Sequence, residues 1–228
     1  MNFRQHWKNG NRFSSDRGQR FPHSLPTPAN GPAACVNRRL FPPFSLRQNG
    51  NGFMTRSDLE HLIRAAGKIA GARELVIIGS QAVLGQFPEA PGVLSRSMEA
   101  DLYPLSQPEL ADSIDGAIGE GSTFHRTHGY YAQGVGPDTA TLPKNWQKRL
   151  VRVENPNTGG FAGLCLEVHD LAISKYVAGR EKDREFTQAL ARHEMTNKAA
   201  VLKRLATTKL DPAVAKLVKG RIERDFTK

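Results

Sequence analysis

The stretch that most constrains this chain runs from Glu74 to Tyr103. It opens with an apolar run, Leu75-Val76-Ile77-Ile78, turns at Gly79-Ser80, and ends in Ser-Met-Glu-Ala-Asp-Leu-Tyr, residues 97–103. The first run predicts a buried strand over 74–78, and residues 81–86 a short helix. The last run predicts a strand over 98–103 that carries Glu99 and Asp101. Side chains two residues apart on a strand point to the same face, so the two carboxylates stand together. A Gly-Ser turn between a strand and a helix start offers backbone N–H groups to an anion. These are the parts of a site for a metal-bound polyphosphate. Carboxylate oxygens suit Mg²⁺, and Gly79, lacking a Cβ, lets the backbone approach phosphates closely. Gln81 is a further candidate contact to phosphate or ribose. The plainer alternatives are an ordinary turn with Ser80 as helix cap and solvated acids on an exposed strand.

The surroundings supply elements to hold such a stretch. Residues 54–71 predict an amphipathic helix with Leu59, Leu62, Ile63, Ala66 and Ile69–Ala70 on one face, Ser57 capping it with Glu60 three residues on, and Gly71 ending it. Residues 87–96, with two prolines and a glycine, read as a loop. A helix over 107–119 places Leu110, Ile114 and Ile118 at a spacing of four. Strands follow near 129–135, 149–154 and 161–168, the last two joined by a hairpin turn at Asn-Pro-Asn-Thr-Gly-Gly. Asp170 is expected to cap a helix over 171–178, continuing over 181–193 with Gly179 as kink or break. Two further helices fall near 197–206 and 212–225. The fold class is therefore α+β (mixed α/β): a small mixed sheet of about five strands with flanking helices over 54–168, and a helical C-terminal region over 169–228.

Charge separates a third segment. Of 32 Lys and Arg and 22 Asp and Glu in 228 residues, residues 1–53 hold eight basic residues and one acid, which leaves 24 and 21 for the rest. The basic excess thus belongs mainly to a Pro-, Gly- and Asn-rich stretch without helical or strand period, expected to be disordered. It reads as a basic arm for nucleic acid, an organelle transit peptide, or an extension upstream of a natural start at Met54, which the helix beginning there favours. The two cysteines, Cys35 and Cys165, suggest no disulfide framework and a reducing cytoplasm. No apolar run is long enough to span a membrane.

Ile-Ile-Gly-Ser followed by Met-Glu-Ala-Asp-Leu-Tyr resembles the Gly-Ser and paired-carboxylate signature of the DNA polymerase β-like nucleotidyltransferase superfamily in its minimal form. Residues 170–186, DLAISKYVAGREKDREF, resemble a second signature of bacterial nucleotidyltransferase-like proteins, a group that includes abortive-infection toxins of toxin–antitoxin pairs. Residues 129–135 and 139–150 are also similar to uncharacterised members. The resemblance covers about residues 55–195. It implies a nucleotidyltransferase-like fold, transfer of NMP from an NTP to a hydroxyl on RNA, protein or a small molecule, Mg²⁺ on Glu99 and Asp101, and Lys175 reaching the triphosphate, with an antitoxin protein as possible partner. Glu99 stands where the family usually has Asp. The third carboxylate that the family usually places on a later strand is missing from Tyr130–Val135, which leaves Asp138, Glu167 or Asp170 as candidates. A catalytically inactive nucleotide- or RNA-binding module on the same fold is the alternative.

Outside that signature the readings stay open. Lys175, Arg180, Lys182 and Asp183 form either a phosphate-binding cluster or a solvated charged face with local ion pairs; on a continuous helix Lys175, Lys182 and Asp183 would share a side. Trp146, beside Lys144, Lys148 and Arg149, either stacks a base or packs into the core. The histidines show no metal-ligand spacing. The basic C-terminal helices either pack on the sheet or meet the phosphates of an RNA acceptor.

Overall fold

The computed structural model describes residues 52–227. The disorder expected for residues 1–53 therefore lies, except for its last two residues, outside the described residues. The elements run α1 (Arg56–Ala70), β1 (Glu74–Ile77), α2 (Val83–Gln86), β2 (Glu99–Pro104), α3 (Ala111–Ile118), α4 (Thr123–His128), β3 (Tyr131–Gly134), β4 (Val151–Val153), β5 (Ala162–Cys165), α5 (Val168–Ala178), α6 (Glu181–Arg192), α7 (Lys198–Ala206) and α8 (Pro212–Asp225). Short 3₁₀ turns link them, among them Ser80–Ala82, Gly92–Leu94 and Pro137–Thr139.

The five strands form one mixed sheet in the order β3-β2-β1-β5-β4. β1 lies at its centre, antiparallel to β2 and parallel to β5, and β2 runs parallel to β3. A central strand covered on both faces needs a continuous apolar run, and Leu75, Val76 and Ile77 are all fully buried. β4 and β5 pair antiparallel, the hairpin that the sequence leads one to expect. Its connection is a capped 3₁₀ turn over Pro156–Thr158. The fold is the mixed α/β sheet with flanking helices expected of a nucleotidyltransferase-like chain.

Helix α1 packs on the sheet through Leu59, Leu62, Ile63 and Ala66, all fully buried. Ile69 does not join them and is 38% exposed. The α1 cap is Thr55, in a reciprocal box with Asp58, and not Ser57 with Glu60. Glu60 serves elsewhere: it accepts hydrogen bonds from Asn155, Asn157 and Arg56 and so ties α1 to the β4–β5 connection. The helix expected over 107–119 becomes regular only from Ala111, after a 3₁₀ turn at Pro108–Leu110. Helix α4, not anticipated, is short and capped by Ser122.

Asp170 does not cap α5. It sits inside the first turn, fully buried, and its carboxylate accepts two hydrogen bonds from Arg149, at 2.7 and 2.9 Å, and an ion pair from Arg204 at 3.0 Å. Burial raises its pKa while the two arginines oppose that rise. The same contact commits Arg149 to structure, and Trp146 packs, partly buried, against the core. Gly179 ends α5 in the left-handed conformation, φ 62°, and α6 starts at a new angle after it. A side chain at Gly179 would also run into Arg221 of α8, which donates to the Tyr176 carbonyl at 2.6 Å. The helix over 171–193 is therefore two helices and not one continuous face.

Candidate active site

The Gly-Ser turn follows β1 and is tied to β2 by the Ile78 N–H, which donates to the Asp101 carbonyl at 3.1 Å. Gly79 is the residue preceding the 3₁₀ turn, with extended backbone (φ −78°), and Ser80 is its first member and not a side-chain cap. The close approach that glycine permits here is to protein: a Cβ on Gly79 would overlap the Asp101 carboxylate. Gln81 is fully buried and donates to the Ser97 carbonyl at 2.9 Å, so it braces the loop entering β2. Its Oε1 has no protein partner.

On β2, Ala100 and Leu102 are fully buried, while Glu99 and Asp101 are half-buried on the opposite face. The two carboxylates lie within hydrogen-bonding reach of one another. Asp101 is pushed up to about 7 by burial first, then by the hydrogen bond and charge of Glu99, against the pull of Lys175 and Lys182. Tyr131, opposite Glu99 on β3, donates to Glu99 Oε2 at 3.2 Å. Burial and the Glu99 charge hold its phenol up at about 12, so it remains a donor. Opposite Asp101 stands Gln133, at the strand position where a third acid would face the pair.

This face forms one wall of a cavity of about 470 Å³ lined by Ser80, Glu99, Asp101 and Gln133, within the range of small-molecule sites. Lys175, at the end of α5, and Arg180, Lys182, Asp183 and Phe186, at the start of α6, form another wall. The break at Gly179 brings these residues to one cavity. Asp183 organises them. It is almost fully buried, accepts from Arg180 Nε at 2.8 Å and from the Arg180 backbone N–H, and lies 3.6 Å from Lys175 Nζ. Burial lowers the Lys175 pKa, and Asp183 and Asp101 work against that fall. Val93, Leu94 and Val135 supply apolar surface.

Of the residues singled out from sequence, Ser80, Glu99, Asp101, Lys175, Arg180, Lys182 and Asp183 line this cavity. Gly79 and Gln81 stand behind it as supports. Asp138 lies on the 3₁₀ turn Pro137–Thr139, whose Thr139 reaches the lining. Glu167 is held by His169 at 2.5 Å and Arg204 at 3.7 Å, and Asp170 by its two arginines. Tyr131, Gln133, Arg96, Phe186, Val93 and Leu94 were not anticipated. Alternation along 131–133 could have placed Tyr131 and Gln133 on one face, but not opposite Glu99 and Asp101.

The donor set suits a hard divalent cation. Two carboxylates on one wall, with space for phosphates, match Mg²⁺, which binds through one or two carboxylates and completes its shell with phosphates and water. Among the described residues, no group of three or more His, Cys, Asp or Glu could hold an ion without substrate.

A strand, a Gly-Ser turn and a returning strand with paired carboxylates, set in a mixed five-stranded sheet, define a nucleotidyltransferase-like protein. The family model for "Nucleotidyltransferase of unknown function (DUF6036)" matches residues 57–211, more than half of the chain, and the chain belongs to that family. No curated protein and no solved structure matches it. Among the described residues, no helix is long and apolar enough to cross a membrane.

Proposed function

We propose that this chain is a metal-dependent nucleotidyltransferase that moves NMP from an NTP to a hydroxyl on RNA, a protein or a small molecule. One observation carries the reading: a single cavity faces the Glu99–Asp101 pair with Lys175, Arg180 and Lys182. Carboxylates alone would repel a triphosphate, and cations alone would bind one without placing a metal. Glu99 and Asp101 are the residues to hold Mg²⁺, which when bound supplies electrophilic stabilisation of the phosphoryl oxygens. Ser80 and the turn hold phosphate, Lys175 and Arg180 offset its charge, and Phe186, Val93 and Leu94 exclude water around the rest of the nucleotide. Asp138 is the proposed base, supported by the position of its turn at the cavity edge.

The test is Mg²⁺-dependent incorporation of labelled NTPs, lost in Glu99→Gln and Asp101→Asn. Labelling that persists in both variants refutes the site. Asp138→Asn is expected to lower turnover by about 10²-fold; unchanged turnover removes it as base.

The position of Gln133 favours a second reading, a catalytically inactive nucleotide- or RNA-binding module. It predicts NTP binding by calorimetry, without metal and without product. A toxin-type role in the cytoplasm, held in check by an antitoxin protein, is supported by the likeness of residues 170–186. It predicts growth arrest on expression that Asp101→Asn relieves.

A further inference from the structure

We propose that Tyr131 is a positioning residue for Glu99, holding that carboxylate where the Glu99–Asp101 pair receives a divalent cation. The inference rests on the site reading above and deepens it.

Glu99 and Tyr131 are register partners on the parallel strands β2 and β3. Their neighbours Ala100 and Ala132 are both fully buried, which turns Glu99 and Tyr131 together to the opposite face. The Tyr131 hydroxyl donates to Glu99 Oε2 at 3.2 Å. One Glu99 oxygen is thereby engaged, and the other is left for the cation and Asp101. Glu99 needs such a tether more than Asp101 does. Its side chain has one more rotatable bond, while Asp101 is wedged against Gly79.

The tether is itself held. The His125 ring packs on the Tyr131 ring with centroids 4.6 Å apart. His125 Nδ1 accepts from the Gly121 N–H at 3.0 Å, and the His125 N–H donates to the Ser122 hydroxyl at 3.0 Å. Helix α4 thus has a use that its sequence does not announce: it presents His125 to Tyr131. From the other side, the Glu99 N–H donates to Ser97 Oγ at 3.2 Å, and the Ser97 carbonyl accepts from buried Gln81. The Glu99 backbone is tied to the Gly-Ser turn through Gln81 and Ser97, and its carboxylate to β3 through Tyr131.

The experiment uses Mn²⁺ as the probe, with the full chain and a non-hydrolysable NTP analogue, and reads bound Mn²⁺ by electron paramagnetic resonance alongside Tm. Tyr131→Phe is expected to raise the Mn²⁺ Kd by about tenfold, the lower end of the range for groups that orient metal ligands, with Tm unchanged. In a Glu99→Asp background the shorter side chain does not reach the phenol, so adding Tyr131→Phe changes Kd no further. A Tyr131→Phe Kd equal to wild type, with Asp101→Asn abolishing binding, overturns the tether and leaves the site standing. An equal penalty in both backgrounds, or a penalty that tracks a fall in Tm, reduces Tyr131 to a packing residue. In a parallel incubation with authentic NTP, where pyrophosphate can leave, an NMP adduct on Tyr131 by mass spectrometry overturns the proposal in favour of an acceptor role. Wild-type protein that binds no Mn²⁺ sinks the site reading and the tether together.

Discussion

Replacing Gly79 by alanine tests the core of the site without removing a polar group. The backbone at Gly79, φ −78° and ψ −173°, is open to any L-residue, so alanine carries no conformational penalty there. The difficulty is space: the new methyl would lie 2.7 Å from Asp101 Cγ and overlap its oxygen. Asp101 has to rotate or β2 has to shift. Overpacking of this kind costs about 1–3 kcal/mol. Restricting the unfolded chain returns about 0.4–1 kcal/mol of that. A net loss of about 1–2 kcal/mol lowers Tm by roughly 2–8 °C at this chain size. Catalysis suffers more, because a carboxylate displaced by about 1 Å loses on the order of 10² in turnover. Scanning fluorimetry and labelled-NTP incorporation, run on one preparation, separate the two effects. Full turnover with unaltered Mg²⁺ dependence in the single variant would refute the reasoning, because Asp101 could then not be working from its place beside the turn.

Other substitutions probe the remaining supports. Asp170→Ala leaves Arg149 and Arg204 facing an empty, fully buried position and is expected to cost about 3 kcal/mol, read from urea unfolding; a loss below about 1 kcal/mol would show the network to be replaceable by solvent. Lys175→Met keeps an unbranched side chain and removes the charge, whose Nζ lies 5.9 Å from the Phe186 ring centroid. The KM for NTP should rise roughly 10–100-fold, the equivalent of about 1.5–3 kcal/mol for a charged hydrogen bond, and an unchanged KM excludes a phosphate contact. His61 gives a pH effect of defined sign. Burial, then Arg64 and His128, lower it from 6.5 to about 4 against the pull of Asp58, and its Nδ1 lies 2.8 Å from the Tyr130 hydroxyl. The unfolded chain binds the proton more readily, so stability falls as pH drops from about 6.5 to about 4, by roughly 1–3 kcal/mol. In His61→Phe that segment of the pH–stability curve should flatten; a slope equal to wild type would assign it to another group.

What the sequence showed best was local. β1 announces itself because a central strand must be apolar throughout, and Glu99 and Asp101 share a face because a strand has period two. Neither depends on any distant residue. Gly71 and Gly179 likewise mark helix ends through their own backbone freedom. What the sequence concealed depended on register or on a partner far along the chain. Asp170, before an apolar run, has the look of a helix cap; only the approach of Arg149 and Arg204 makes it a buried ion. Ser57 with Glu60 fits a capping box as well as Thr55 with Asp58 does, and the choice falls to Thr55 because Glu60 is taken by Asn155 and Asn157, 95 and 97 residues away. The cation wall shows the same logic in the site. Lys175, Arg180, Lys182 and Asp183 fall within nine residues of sequence, and a continuous helix would have carried Arg180 away from Lys182. The left-handed turn at Gly179 resets the helix direction, and buried Asp183 then draws Lys175 and Arg180 towards one point. A charged run of this composition becomes a ligand-binding wall through that one break, and its position opposite Glu99 and Asp101 follows from the packing of α5 and α6 against the elements around the sheet.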